Sequence, residues 1–181
     1  LGEIYINLPL PVDKKVENHC GTCTSCIDVC PTKAIVGPYM LDARKCISYL
    51  TIEHKSSIPL EFRKQIGNRV YGCDDCQLFC PWNKFGQITK EEDFKVRHGL
   101  DDIELVECFL WTEAEFIKYM EGSAILRIGY DQWLRNIAIG LGNAKTSETI
   151  VNALKGRLNE ASPLVKEHIS WALAQHNFHM N

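Results

Sequence analysis

The chain has 181 residues, 45% of them hydrophobic, and a formal net charge of −3 at pH 7. This composition excludes a disordered polymer and a polycation, and the length suits one domain or two small ones. No apolar run approaches the roughly 20 residues that a membrane-spanning helix needs, and no secretory or twin-arginine leader is visible. We therefore expect no membrane partner and a location in the reducing cytoplasm.

The first residues alternate in polarity. The chain begins at Leu1 without an initiator methionine, and apolar and polar side chains alternate over residues 4–8. This alternation predicts a half-buried strand, but no partner strand follows it. We interpret residues 1–13 as the tail of a missing N-terminal domain, and the alternative is an ordinary chain with a processed start.

Eight of the nine cysteines lie between residues 20 and 80, in two motifs and one lone position. The first motif, from Cys20 to Pro31, is C-x2-C-x2-C-x3-C-P, and the second, from Cys73 to Pro81, is C-x2-C-x3-C-P. Such runs are typical of proteins with two cubane iron–sulfur clusters, in which the Cys before each Pro binds the other cluster. Four zinc ligands normally come as two separated C-x2-C pairs, so zinc is the weaker alternative.

The second motif lacks one ligand. A duplicated ferredoxin would supply it at position 70, which is Val70 here. Cys46 is the candidate that replaces it, and Cys108 is the rival, although its apolar neighbours favour a buried, inert thiol. We predict two 4Fe-4S clusters: the first bound by Cys20, Cys23, Cys26 and Cys80, the second by Cys30, Cys46, Cys73 and Cys76.

The displaced ligand leaves a long segment between Cys46 and Cys73, called here the 46–73 excursion. We predict that residues 47–52 are helical and that a second helix begins at Pro59, with Ser57 as its cap, and stops at Gly67. Upstream, residues 32–36 predict a turn into a short strand. A redox partner or a substrate could dock on the excursion, and the alternative is a surface loop without a function.

The last third of the chain has helical apolar spacing over residues 133–142, 149–158 and 165–174. Four positions of the first segment match the third at an offset of 32 residues, which predicts a pair of HEAT-like repeats; a plain helical bundle is the alternative. The predicted fold class is α+β. A bicluster ferredoxin-like iron–sulfur domain over 14–90 precedes an acidic linker and a small all-α HEAT-like domain over 91–181.

Charge is distributed unevenly along these regions. Residues 14–90 carry 11 basic residues (Lys or Arg) and 7 acidic residues (Asp or Glu). Residues 91–121 carry three basic and ten acidic residues, and residues 122–181 carry six basic and four acidic residues. Basic parts of this kind suit an anionic partner. Ordinary solvated surfaces explain the same counts equally well.

Three segments carry a resemblance to a known family. The first segment is the first cysteine motif. The second is Cys46-Ile-Ser48, preceded by Arg44-Lys45, and the third is Gly-Asn-Arg-x-Tyr-Gly-Cys73, followed by Asp74-Asp75. Together they resemble the epoxyqueuosine reductases. The resemblance implies a cobalamin-dependent iron–sulfur oxidoreductase of tRNA processing that reduces epoxyqueuosine to queuosine, the last step of queuosine biosynthesis. Electrons from an external low-potential donor would pass singly through the clusters to the cobalt.

The resemblance also implies roles for residues. Ser48, Asp74 and Asp75 match the positions that meet cobalamin, whereas the catalytic Asp belongs to the missing N-terminal half, so this chain should be inactive on its own. Separately, we expect the chain to be a monomer. The tRNA anticodon stem-loop would contact basic residues, for which we predict Lys55, Arg63, Lys64, Arg69, Lys84 and Arg135. The alternatives are a cobalamin-dependent reductive dehalogenase and an electron-carrier module of another oxidoreductase.

Overall fold

The computed structural model describes residues 2–177, and Leu1 lies outside this range. The α-helices are α1 (Ser25–Val29), α2 (Leu60–Ile66), α3 (Asp75–Leu78), α4 (Leu105–Leu110), α5 (Glu113–Met120), α6 (Tyr130–Asn143), α7 (Glu148–Leu158) and α8 (Pro163–Gln175). The strands are β1 (Ile35–Gly37) and β2 (Met40–Leu41). Shorter helical turns are Ala43–Lys45, Tyr49–Glu53, Pro81–Phe85, Glu92–Phe94 and Ala124–Ile128, of which Tyr49–Glu53 is a π-helix.

The strand predicted near the start is not formed. The described residues from 2 to 20 include no helix or strand, and Ile4, Tyr5 and Leu8 are 88%, 92% and 64% exposed. A strand needs a neighbour for its backbone hydrogen bonds and a core for its apolar face. Neither lies beside residues 4–8, so the alternating pattern has nothing to pack against.

Elements predicted within residues 14–90, called here the cysteine-rich region, are present in the structure. β1 pairs antiparallel with β2, and Ile35 lies opposite Leu41. The predicted helix after Pro59 is α2, and it ends at Gly67, whose φ of 63° suits glycine. Ser57 does not cap this helix, because its hydroxyl donates instead to Glu167 of α8 at 2.8 Å.

The three helices predicted in the last third are confirmed as α6, α7 and α8. Each of α7 and α8 begins at a serine whose hydroxyl accepts a backbone N–H, from Ile150 and Val165 respectively. α6 lies at the centre, packs along α8 and has eleven buried residues. The 32-residue repeat itself stays a prediction.

The 46–73 excursion packs on the helical region. Ile47, Leu50, Ile58 and Ile66 form a buried cluster that is completed by Ile139 of α6. Side chains from both sides of the predicted boundary at residue 90 therefore share this cluster, and the division into domains stays a prediction. No helix within residues 2–177 is long and apolar enough to cross a membrane.

Candidate metal centre

The eight cysteines of the two motifs and position 46 are free, half-buried thiols. Six of them line one cavity of about 420 Å³. These are Cys20, Cys26, Cys30, Cys46, Cys73 and Cys76. The fold therefore brings thiols of both motifs and the lone Cys46 around one space, as a shared set of ligands requires.

Two hydroxyls join the ends of the 46–73 excursion. Ser48 Oγ accepts a hydrogen bond from the backbone N–H of Cys73 at 3.1 Å and donates to its carbonyl at 3.3 Å. Thr51 Oγ1 accepts from the N–H of Gly72 at 2.9 Å and donates to Ile47. These bonds hold the backbone after Cys46 against the backbone that leads into Cys73.

Two thiols of the second motif, those of Cys73 and Cys76, have a raised pKa. Burial raises the pKa of Cys73, and burial together with the nearby Cys73 and Cys46 thiols raises the pKa of Cys76. In the first motif, burial would raise the pKa of Cys30, but hydrogen bonds from Ala34, Ile35 and Thr32 outweigh it, so the pKa is lowered. A cation in the cavity would stabilise all of these thiolates.

The type of ligand and its spacing together favour an iron–sulfur cluster. Soft thiolates bind zinc and iron–sulfur clusters alike. Four zinc ligands normally come as two separated C-x2-C pairs, whereas the C-x2-C-x2-C run of the first motif is typical of a cubane cluster.

The predicted cobalamin contacts divide into two groups. Ser48 and Asp75 line the cysteine cavity. Asp75 is also paired with Arg69 at 2.6 Å. Asp74 is exposed, lies outside that lining and accepts a hydrogen bond from Gln77.

Two of the residues predicted to contact tRNA are buried in the structure. The side chain of Arg63 is 1% exposed and pairs with Glu167 at 2.7 Å, and Arg135 is 0% exposed and donates to backbone carbonyls. A phosphate cannot reach either guanidinium, because both are enclosed between the excursion and the helices. Lys55, Lys64 and Lys84 are exposed, whereas Arg69 is half-buried in its ion pair.

Sequence reasoning missed one part of the site. Tyr39, Met40 and Leu41 of the β-hairpin line the cysteine cavity and are 69%, 62% and 56% exposed. The signal that could have found them is a short apolar hairpin placed between two motifs of ligands. The rival thiol, Cys108, is buried in the helical core, where burial raises its pKa to about 11.

Comparisons with known proteins agree with this geometry. The family model of a 4Fe-4S double cluster binding domain matches residues 19–83. The epoxyqueuosine reductase of Xanthomonas campestris pv. campestris is 60% identical over 97% of this chain and 50% of its own length. That of Escherichia coli is 58% identical over 97% of this chain and 46% of its own length.

This chain matches half of an epoxyqueuosine reductase. The resemblance drawn from the cysteine and Gly-Asn-Arg motifs is confirmed. A solved epoxyqueuosine reductase from Bacillus subtilis has a TM-score of 0.86 at 32% identity and covers 94% of this chain and 45% of its own. Another, solved with an epoxyqueuosine-modified tRNA stem loop, has a TM-score of 0.73 at 26% identity and covers 95% and 54%.

Proposed function

We propose that this chain supplies the electron-transfer half of an epoxyqueuosine reductase. It would hold two 4Fe-4S clusters and contribute one wall of a cobalamin site, and the reaction would reduce epoxyqueuosine to queuosine in tRNA. The observation that carries the proposal is the cavity in which Cys46 lies with cysteines of both motifs, beside Ser48 and Asp75. The chain spans about half the length of the curated relatives it matches, so the activity is proposed for the whole protein.

The spacing of the cysteines supports the proposed ligand sets. Cys20, Cys23, Cys26 and Cys80 would hold the first cluster, and Cys30, Cys46, Cys73 and Cys76 the second. Support for Cys46 comes from the two hydrogen bonds that tie Ser48 to Cys73 and from the cavity that Cys46 lines together with Cys30, Cys73 and Cys76. Cys108 lacks such support, because it packs in the core of the helices.

The chemistry assigns a limited set of tasks to this chain. Removing an epoxide oxygen as water consumes two electrons and two protons, and a 4Fe-4S cluster carries one electron at a time. Cobalamin, when bound, would supply a strongly reducing cobalt centre. Ser48 and Asp75 would face it, and the Arg69 pair would fix the Asp75 carboxylate in place.

The tRNA partner is part of the same proposal. One structural neighbour was solved with a tRNA stem loop, and the exposed Lys55, Lys64 and Lys84 remain proposed phosphate contacts.

We also propose a HEAT-like arrangement for the helices after residue 122, a reducing compartment such as the cytoplasm, a monomeric state and an external low-potential electron donor. The relatives' names favour this function over a reductive dehalogenase or a separate electron carrier.

A chimera tests the proposed function. This chain would replace the matching half of the Escherichia coli epoxyqueuosine reductase, to which it is 58% identical, in cells that lack their own enzyme. We expect queuosine to appear in the tRNA, and we expect Cys46→Ser, but not Cys108→Ser, to abolish it. Accumulation of epoxyqueuosine alone, in cells whose chimera carries its iron, would overturn the proposal.

A further inference from the structure

Helix α6 directs three polar side chains at the 46–73 excursion. Arg135 and Asn136 are both 0% exposed, and Asn143 lies further along the same helix. Together they donate hydrogen bonds to seven backbone carbonyls of the excursion: those of Leu50, Thr51, His54, Ser56, Arg63, Gly67 and Val70. One helix therefore satisfies carbonyls along almost the whole length of the excursion.

Arg135 uses every donor it has. A guanidinium has five N–H donors. Its Nη1 donates to the carbonyls of His54 and Ser56 at 2.6 and 2.8 Å, and Nη2 donates to Leu50 at 2.9 Å. The two remaining N–H groups go to Asn136 Oδ1, at 3.0 Å from Nε and 2.9 Å from Nη2.

The five bonds include none to a carboxylate, so this buried cation is held by dipoles alone. Burial lowers the pKa of Arg135 to about 10, which leaves it charged at neutral pH. A buried charge without an ion pair is costly unless its hydrogen bonds are complete. The completeness of the bonds indicates that holding these carbonyls is the role of the side chain.

The carbonyls that α6 holds lie close to two cluster cysteines. Leu50, which Arg135 binds through its oxygen, donates its own N–H to the carbonyl of Cys46 at 2.9 Å. Asn136 donates to Thr51 and Val70, each at 2.8 Å, and Thr51 in turn binds the N–H of Gly72, next to Cys73. Both ends of the excursion are thus connected to α6 through two or three bonds.

The segment that carries Cys20, Cys23 and Cys26, three of the four proposed ligands of the first cluster, lacks this support. Its described side-chain hydrogen bonds are local: Thr24 donates to Asp28 at 2.7 Å, and Cys23 donates to Ser25 at 3.3 Å. Helix α1 contacts α3 and β1, which belong to the cysteine-rich region itself. A substitution in α6 should therefore affect the second cluster more than the first.

We propose that Arg135, Asn136 and Asn143 are positioning residues for the second 4Fe-4S cluster, since they fix the backbone that presents Cys46 and Cys73. This inference rests on the ligand sets of the proposed function. It gives the helical region a role in cluster assembly: the second cluster forms on a backbone that α6 has already placed.

The test uses the full chain after anaerobic reconstitution with iron and sulfide. Arg135→Met removes the contacts, and Arg157→Met is the matched control, because Arg157 of α7 also donates inward, to Trp111 and Tyr130, without touching the excursion. Cys46→Ser serves as the reference for a protein that has lost the second cluster. Iron per chain and the electron paramagnetic resonance spectrum of the reduced protein are measured beside thermal unfolding.

We expect Arg135→Met to lose half of the iron and the same resonance signal that Cys46→Ser loses. Arg157→Met should lower thermal stability and keep all of its iron. Arg135→Lys, which keeps the charge with three donors, should retain more of the second signal than Arg135→Met. If Arg135→Met is insoluble, Arg135→Lys and Asn136→Ala must show the selective loss.

Two results would distinguish a failure of the positioning role from a failure of the proposed ligand set. Retention of both signals in Arg135→Met, or equal loss of both in every α6 variant, overturns the positioning role while leaving the ligands intact. Full iron in Cys46→Ser would instead overturn the ligand set on which this inference rests.

Discussion

At the scale of single residues, His168 shows how the helices hold the excursion. Its side chain is 0% exposed, its Nδ1 lies 2.8 Å from the carbonyl of Leu164, and its Nε2 accepts the backbone N–H of Ile58 at 3.2 Å. These partners require a neutral ring with the proton on Nδ1. Arg63, Glu167 and Arg135 are the charges around it, and burial lowers its pKa from 6.5 to about 4.

This pKa gives a prediction for stability against pH. Between about pH 6.5 and pH 4 the unfolded chain binds a proton at His168 and the folded chain does not, so stability falls as the pH falls through this window. We expect the loss from pH 7 to pH 5 to be about 1–2 kcal/mol greater than in His168→Gln. Denaturant unfolding of both proteins, at equal iron content, measures it, and identical pH profiles would contradict the assignment.

The residues that the sequence predicts best are those whose chemistry is local. Ligand spacing is a property of a short stretch of chain, so the intervals between the cysteines of both motifs predict a double-cluster domain, and the family model over residues 19–83 agrees. Arg63 and Arg135 were predicted to face tRNA because a charge in a sequence suggests solvent. Their burial depends on Glu167 and on carbonyls of the excursion, which are about 80 to 100 positions away in sequence, and only the folded chain brings them together.

At the scale of elements, the packing of α6 on α8 depends on a glycine. A Cβ at Gly142 would lie 2.6 Å from Trp171 Cζ3 and 2.9 Å from Ala172 Cα. The helix backbones therefore approach more closely at this point than any larger residue would permit. In the sequence, Gly142 is only the last residue of the predicted helical segment 133–142, because helical spacing does not reveal which face meets another helix closely.

Two glycine substitutions test this close approach. Gly142→Ala should destabilise the chain by about 1–3 kcal/mol, since the backbone of Ala172 cannot move away easily. Gly156→Ala is the control: Gly156 lies inside α7, is exposed and has nothing within 4 Å of its Cβ position. That change should stabilise by about 0.5–1 kcal/mol, because alanine has the higher helix propensity. A shift of the thermal unfolding temperature in the same direction for both variants would refute the close approach.

At the scale of the whole molecule, the charges suggest where an anion would bind. The cysteine-rich region is net basic and residues 91–121 are net acidic. With Arg63 and Arg135 buried, the exposed cations of that region proposed for tRNA are Lys55, Lys64 and Lys84. A lysine that neutralises a phosphate releases counterions, so its contribution to affinity weakens as salt is added.

Replacement of Lys55, Lys64 and Lys84 by Gln should weaken binding of a tRNA anticodon stem loop to the chimera. The slope of log affinity against log salt should become shallower by about 0.7–0.9 for each phosphate that is no longer neutralised. Lys118, Lys145 and Lys166, also changed to Gln, give a control with the same change in charge at other exposed positions. Equal weakening in the two triple variants would show that net charge, rather than this surface, attracts the tRNA.

The count of iron and acid-labile sulfide in the anaerobically reconstituted chain tests the account most directly. Two cubane clusters on eight cysteines predict about eight irons and eight sulfides per chain. Cys108→Ser should leave that count unchanged, because its thiol is buried in the helical core, and Cys46→Ser should halve it. A wild-type count of about four irons, or zinc without sulfide, would contradict the two-cluster account.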